Sequence, residues 1–258
     1  MHAKLSNKQQ QQLESEHIDI QSFIFNWGNQ FESTLVIEKQ LNKILDQVNV
    51  INSDENNSQS HWLNVGENCY FTAQFLKAIE LHDGSSVFFH VQGDTSYNNW
   101  PQLVQDATYY INEYNAGIYY PRVLNTEWDD QQLSLIQEAC PEHKNIKLIS
   151  CGDETVWLIR PEIINYFKEN NLQNCFLHNK YGWGWDVMFC AISYILKMPV
   201  IRDYNHVIKH DMHTNYDTRQ AKFEYDLTKD LLPSHIAEFI EIISDPLQNN
   251  KILNYLNI

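Results

Sequence analysis

The chain of 258 residues carries 33 acidic against 18 basic side chains, a formal net charge of −15, with 43% hydrophobic and 13% aromatic residues. That length suits one large α/β domain with a well-buried core, and that charge opposes unaided binding to DNA, RNA or anionic lipid. A phosphate-bearing ligand would therefore need a local neutralising group, and a divalent cation suffices. The five cysteines, Cys69, Cys140, Cys151, Cys175 and Cys190, form no CxxC pair and read as reduced thiols of a cytoplasmic protein. No apolar run approaches the ~20 residues of a membrane span, and the polar, Gln-rich start excludes a secretory signal. Residues 1–20 read as a leader outside the fold.

In chain order, Phe23-Ile24-Phe25 predicts a first strand ending at Asn26-Trp27-Gly28, followed by helical spacing from Phe31 to Leu45. Val48 to Ile51 predicts a second strand, closed by the turn-rich Asn52 to Ser58. An amphipathic segment from Tyr70 to Leu81 precedes the most apolar strand, Val87 to Val91, which ends at Gln92-Gly93-Asp94-Thr95. A helix over Trp100 to Glu113 leads to a strand at Gly117 to Tyr120, stopped by Pro121. Leu148 to Ser150 and Val156 to Ile159 are further strands, Pro161 opens a helix to Glu169, and another runs from Met188 to Leu196. Val200-Ile201 is the last strand, and the tail from Ala221 is helical. Alternating strands and helices predict a mostly parallel sheet with helices on both faces, and ligands bind beyond the carboxyl ends of such strands. Asn26-Trp27, Asn52 to Glu55 and Gln92 to Asp94 should then meet in one crevice.

Three groups carry candidate chemistry. Asp94, after a buried strand, offers hard oxygen to magnesium or manganese, or it caps the next helix. Gly182-Trp183-Gly184-Trp185-Asp186 offers close backbone approach, two indole faces for sugar rings and a carboxylate able to take a proton; the alternative is a core turn with Asp186 as a helix cap. His206, His210 and His213, near Asp203 and Asp211, form the third. On a helix, His206 and His210 would share a face as in a zinc site, whereas Val207-Ile208 reads better as a strand feeding a loop.

In this order and spacing, over about residues 20 to 220, these segments resemble the GT-A glycosyltransferases, notably inverting enzymes of family two. Those enzymes set a DxD metal motif after a central strand, then a Trp-Gly-rich segment ending in an acid, then a histidine. The resemblance implies a single Rossmann-like GT-A domain over 21–258, with a donor half at about 21–120, an acceptor half at about 121–220 and a helical tail. It implies that Asp94 and His210 bind Mn2+ or Mg2+, that Asp186 is the catalytic base, and that Asn26, Trp27, Asp54 and Gln92 lie by the nucleotide. Trp183, Trp185 and Asp153 would shape the acceptor site, and Arg122, Lys180 or Arg202 would assist the diphosphate. Gln92 departs from the pattern, standing where the first Asp of DxD is usual and offering a weaker, neutral ligand.

The implied activity is metal-dependent transfer, with inversion, from a nucleoside-diphosphate sugar to a glycan or lipid-linked saccharide in surface polysaccharide synthesis. UDP-sugar is expected ahead of GDP-sugar. Nucleic acid is not expected as a partner; peripheral membrane contact is compatible with this reading. Two rivals are a metal-dependent hydrolase built on Asp203, His206, His210 and His213, and a non-catalytic carbohydrate-binding protein.

Overall fold

Along β1 (Ile20–Asn26), Phe23 and Phe25 point to one side of the sheet and Ile24 to the other, and all three are fully buried. Strand side chains alternate between faces, so a strand buried on both faces needs cover on both. In this computed structural model, which describes residues 19–67, 69–124, 126, 135–138, 143–210 and 216–257, helices supply that cover. On the Ile24 side lie α1 (Phe31–Leu41) and α3 (Trp100–Glu113), packing Ile37, Leu41, Trp100 and Leu103 against Phe89 and Val91. On the Phe23 side lie α2 (Phe71–Leu81), α4 (Pro161–Glu169), α5 (Trp185–Ile195), α7 (Ser234–Ser244) and α8 (Asn249–Leu256). Helix α6 (Thr218–Leu231) follows β10 in the chain and precedes α7.

The remaining strands are β2 (Gln47–Asn52), β3 (Leu63–Asn64), β4 (Val87–Gln92), β5 (Thr95–Ser96), β6 (Ile118–Leu124), β7 (Leu135–Glu138), β8 (Ile146–Ile149), β9 (Val156–Ile159) and β10 (Val200–His210). They form one sheet in the order β3-β2-β1-β4-β9-β6-β10-β8-β7, with β5 paired to β10. The runs β3-β2-β1-β4 and β6-β10 are parallel, and β9 is inserted antiparallel between β4 and β6. Strands β1, β2, β4, β6 and β10 therefore all end at one edge. Because β9 runs the other way, its beginning lies at that edge too.

Two strands outrun their expected lengths. Pro121 does not stop β6, which continues to Leu124. Its ladder to β9 ends at Tyr119, so the missing amide of Pro121 costs no bond there, and on the other side it faces Asp203 where β10 bulges. Past that bulge, β10 reaches His210, well beyond the expected Val200-Ile201. The histidine segment is thus strand and not helix. Residues 1–18 of the expected 1–20 leader, with Cys140, Asp211, His213, Thr214 and Asn215, lie outside the described residues, and Ile20 already belongs to β1.

Candidate functional site

The carboxyl edge is built around Asn26. Its side chain donates to Asn52 Oδ1 at 2.6 Å and accepts from Thr34 Oγ1 at 2.8 Å, and the residue is fully buried. Asn52 in turn donates to the Asp54 carbonyl at 2.7 Å, and Gly93 N donates to Phe25 O at 2.9 Å. The three strand ends are therefore tied together, as expected for one crevice. The Asn26 amide is thus bonded within the edge and forms part of its floor. Asp54 is buried in its own turn, accepting from Asn56 N and Asn57 Nδ2 at 3.0 Å each. Trp27 is half-buried against the core, and Gln92 is half-buried at the end of β4.

The Gln92-Gly93-Asp94 turn is pressed onto α1. A side chain at Gly93 would sit 2.7 Å from Phe25 O and collide with Thr34 Oγ1, so glycine is required for the approach. The turn then enters β5, whose Thr95 and Ser96 pair with His210 and Lys209 at the end of β10. This short ladder brings Asp94 Oδ2 to 3.0 Å from His210 Nε2, with the two side chains 9% and 17% exposed. Asp94 Oδ1 is buried with no hydrogen-bond partner among the described residues. A buried carboxylate oxygen left without a partner beside an imidazole fits a borderline-hard divalent cation, so the donor set suits manganese or magnesium.

His206 lies elsewhere. Four residues of strand separate it from His210 by about 13 Å, and it belongs to a closed network. Its Nε2 is 2.9 Å from Asp106 Oδ2 and its Nδ1 is 2.6 Å from Tyr97 Oη. Asp203, fully buried, accepts from Tyr119 Oη at 2.9 Å and from Asn205 N at 2.7 Å. Burial pushes the Asp203 carboxyl above the usual range, against those hydrogen bonds and the neighbouring His206. Asp106, Asp203 and His206 are close enough to hold a metal, but these bonds already occupy both ring nitrogens of His206. Of the residues named by the hydrolase reading, Asp203 and His206 lie together with Asp106, His210 lies beside Asp94, and His213 is outside the described residues.

The Trp-Gly segment separates into core and cavity. Trp185 is fully buried, stacked on Phe176 with ring centroids 3.8 Å apart, and donates from Nε1 to Thr72 Oγ1 at 3.0 Å. It has no face to offer a sugar, so the acceptor role expected of it is corrected to core packing. Trp183 is half-buried and donates to Tyr216 Oη at 2.9 Å. Gly184, at φ +95°, caps α5 in a left-handed conformation, and a side chain there would strike the Tyr225 ring. Asp186 is then the second residue of α5 and not its cap. It lines a cavity of about 280 Å³ with Trp183, Gly184, Val187, Lys222, Tyr225 and Ser244. Burial, then the charge of Asp186, pushes the Tyr225 phenol up.

Asp153 holds the turn into β9, accepting from Thr155 N at 2.9 Å. Arg202 is buried and donates to Cys151 O at 3.4 Å. Lys180 Nζ lies 4.4 Å over the Tyr70 ring, and Arg122 lies 5.9 Å over Tyr204. Sequence reasoning missed Lys222 and Tyr225. Helix α6 gives no usual signal for either, because it buries Glu224 and Thr228 while exposing Phe223, Leu227 and Leu231. Glu224 is held in that position by accepting from Lys180 N at 2.8 Å.

No protein-family model matches the sequence, and comparison with curated proteins finds no match. Solved structures do match. GalNAc-T7 with UDP, GalNAc and Mn2+ aligns at TM-score 0.56 and 8% identity, covering 94% of this chain; this chain spans only 55% of that one. Glucosyl-3-phosphoglycerate synthase from Mycobacterium tuberculosis, in complex with Mn2+, UDP-glucose and phosphoglyceric acid, gives 0.54 and 9%, covering 92% and 85% of the two chains. Mannosyltransferase PcManGT from Pyrobaculum calidifontis, with GDP-Man and Mn2+, gives 0.54 and 8%, covering 97% and 79%. At such identities the likeness is one of fold. The chain has the GT-A fold, a mixed α/β domain whose central sheet is flanked by helices.

Proposed function

We propose that the protein is a glycosyltransferase that uses a divalent metal and a nucleotide-sugar donor. The observation carrying this reading is the contact of Asp94 with His210, 116 positions apart in sequence, at the edge where the parallel strands end. The ligands of the similar structures, UDP with GalNAc, UDP-glucose and GDP-Man, each with Mn2+, support it. A metal held by Asp94 and His210 would offset charge developing on a departing nucleoside diphosphate. Trp27, Asp54 and Gln92 would border the nucleotide, with a UDP-sugar the preferred donor.

Asp186 is the base in this reading. It faces the cavity, and its neighbour Trp183 supplies an aromatic wall for an acceptor saccharide. With one base and no covalent intermediate, the product forms with inversion. The acceptor is a glycan or lipid-linked saccharide of surface polysaccharide synthesis, and the reaction belongs to the cytoplasm. No helix of the described residues is long and apolar enough to cross a membrane. Asp186→Asn tests the assignment: transfer should fall about 10²–10⁴-fold while donor binding survives. Near-full transfer by that variant would remove the base from the mechanism.

A further inference from the structure

Trp183 lines the cavity with Asp186, and it also belongs to an aromatic cluster beside it. Its Nε1 donates to Tyr216 Oη at 2.9 Å, and Tyr216 stacks on Tyr181 with ring centroids 4.7 Å apart and planes at 20°. Tyr70 meets Tyr181 edge-on at 4.9 Å and Tyr216 at 6.1 Å. All four residues are half-buried. Tyr70 immediately precedes α2, Tyr181 and Trp183 precede α5, and Tyr216 follows the end of β10. Helices α2 and α5 lead back to the starts of β4 and β10, so their own first residues lie toward the carboxyl edge.

The loop before α5 is firmly built. Buried Asn179 donates to Trp183 O at 2.7 Å and accepts from Gly182 N at 2.9 Å, while Lys180 N donates to Glu224 Oε2 at 2.8 Å. Gly182, at φ +91°, lies so near Phe71 that a side chain there would meet its ring at 2.6 Å. Lys180 Nζ, 4.4 Å over the Tyr70 ring, braces that ring by cation–π attraction.

We propose that Tyr70, Tyr181 and Tyr216 form a second acceptor subsite, joined to the cavity through Trp183, that takes the next sugar unit of a chain whose terminal unit lies beside Asp186. This rests on the reading of the cavity as the acceptor site. The substrate class is then an oligosaccharide rather than a single sugar. Aromatic rings left half-exposed in one patch mark a binding surface. Their apolar surface suits the CH groups of a sugar, and the phenol hydroxyls and the Lys180 ammonium suit its hydroxyls. Rings already held in place lose little freedom on binding, so the contact is retained as affinity. A nucleobase also stacks on such rings; their junction with the cavity through Trp183 favours the acceptor.

The test is isothermal titration of the full chain with mono- and disaccharides of the cello, malto, manno and chito series, and with UDP in manganese. In at least one series, wild type should bind the disaccharide about five- to tenfold more tightly than the monosaccharide, the scale of one ring contact. Tyr181→Ala should lose that gain while keeping its affinity for the monosaccharide and for UDP. Tyr181→Leu fills similar space without a π face and should lose the gain too, which decides the matter even where the alanine variant fails to fold. Equal affinities in every series, no saccharide binding in any series, or an unchanged gain in Tyr181→Leu would overturn the inference. Weakened UDP binding by Tyr181→Leu would assign the rings to the nucleotide and overturn it as well. Full transfer by Asp186→Asn would fail the base assignment and leave the length dependence standing. A crippled Asp186→Asn beside equal mono- and disaccharide affinities would fail this inference alone.

Discussion

His206 and His210, both on β10, each meet a carboxylate, at 2.9 Å to Asp106 and 3.0 Å to Asp94, yet the surroundings of the two contacts differ. Around His206, Tyr97, Asp106, Tyr119, Asp203 and Asn205 satisfy one another, and the network pins the bulged strand to α3 and the segment after β5. At His210, the partner carboxylate keeps one buried oxygen without a bond among the described residues. Satisfied buried polar groups rigidify a fold, and an unsatisfied one calls for an explanation such as an ion or a ligand. Proximity of acids and histidines alone does not distinguish the two sites.

The tryptophans make a parallel contrast. Trp185 is enclosed by Phe75, Phe167, Phe176 and Phe189, so Trp185→Ala should destabilise the fold by about 3–5 kcal/mol. Trp183→Ala should leave the thermal midpoint within a few degrees while raising the acceptor KM. Denaturant melts and steady-state kinetics on the two variants check this; equal destabilisation would erase the distinction between core and cavity.

For the histidines, His206→Ala strips bonds from Asp106 and Tyr97 and should cost about 2–3 kcal/mol, measurable by urea unfolding. The metal's effect on nucleotide binding should persist in that variant. Its loss would move the metal site to the Asp106–Asp203–His206 group.

A third histidine sharpens the point through pH. His90 on β4 is fully buried among Phe25, Phe71 and Phe75, and burial lowers its pKa from the ordinary 6.5 to about 3. Its folded value lies below its unfolded value, so the unfolded chain binds the proton first. Stability is then lost as pH falls below about 6.5, by about 2 kcal/mol at pH 5. His90→Phe should flatten that part of the profile of unfolding free energy against pH; an unchanged slope would contradict it.

Much of this was legible in sequence. Trp100–Glu113 and Pro161–Glu169 emerge at their expected bounds because a proline and apolar spacing mark them. Asp94 and Asp186 stand out by their places after a strand and after glycines, whereas among the histidines only the family resemblance singled out His210. Strand β5 was not legible, since Thr95-Ser96 is strand only because β10 arrives beside it. The burial of Trp185 was hidden for a related reason: neighbouring indoles look alike until a helix turns one inward.

At the centre of the proposed chemistry, Asp94 and His210 would hold a divalent cation that receives a nucleoside diphosphate. Isothermal titration of UDP and GDP, with manganese and with chelator, tests it on wild type, Asp94→Ala and His210→Ala. Wild type should bind at least about tenfold more tightly with manganese, a difference of about 1.4 kcal/mol, and both variants should lose that gain. Equal affinity for wild type in manganese and in chelator would contradict the assignment.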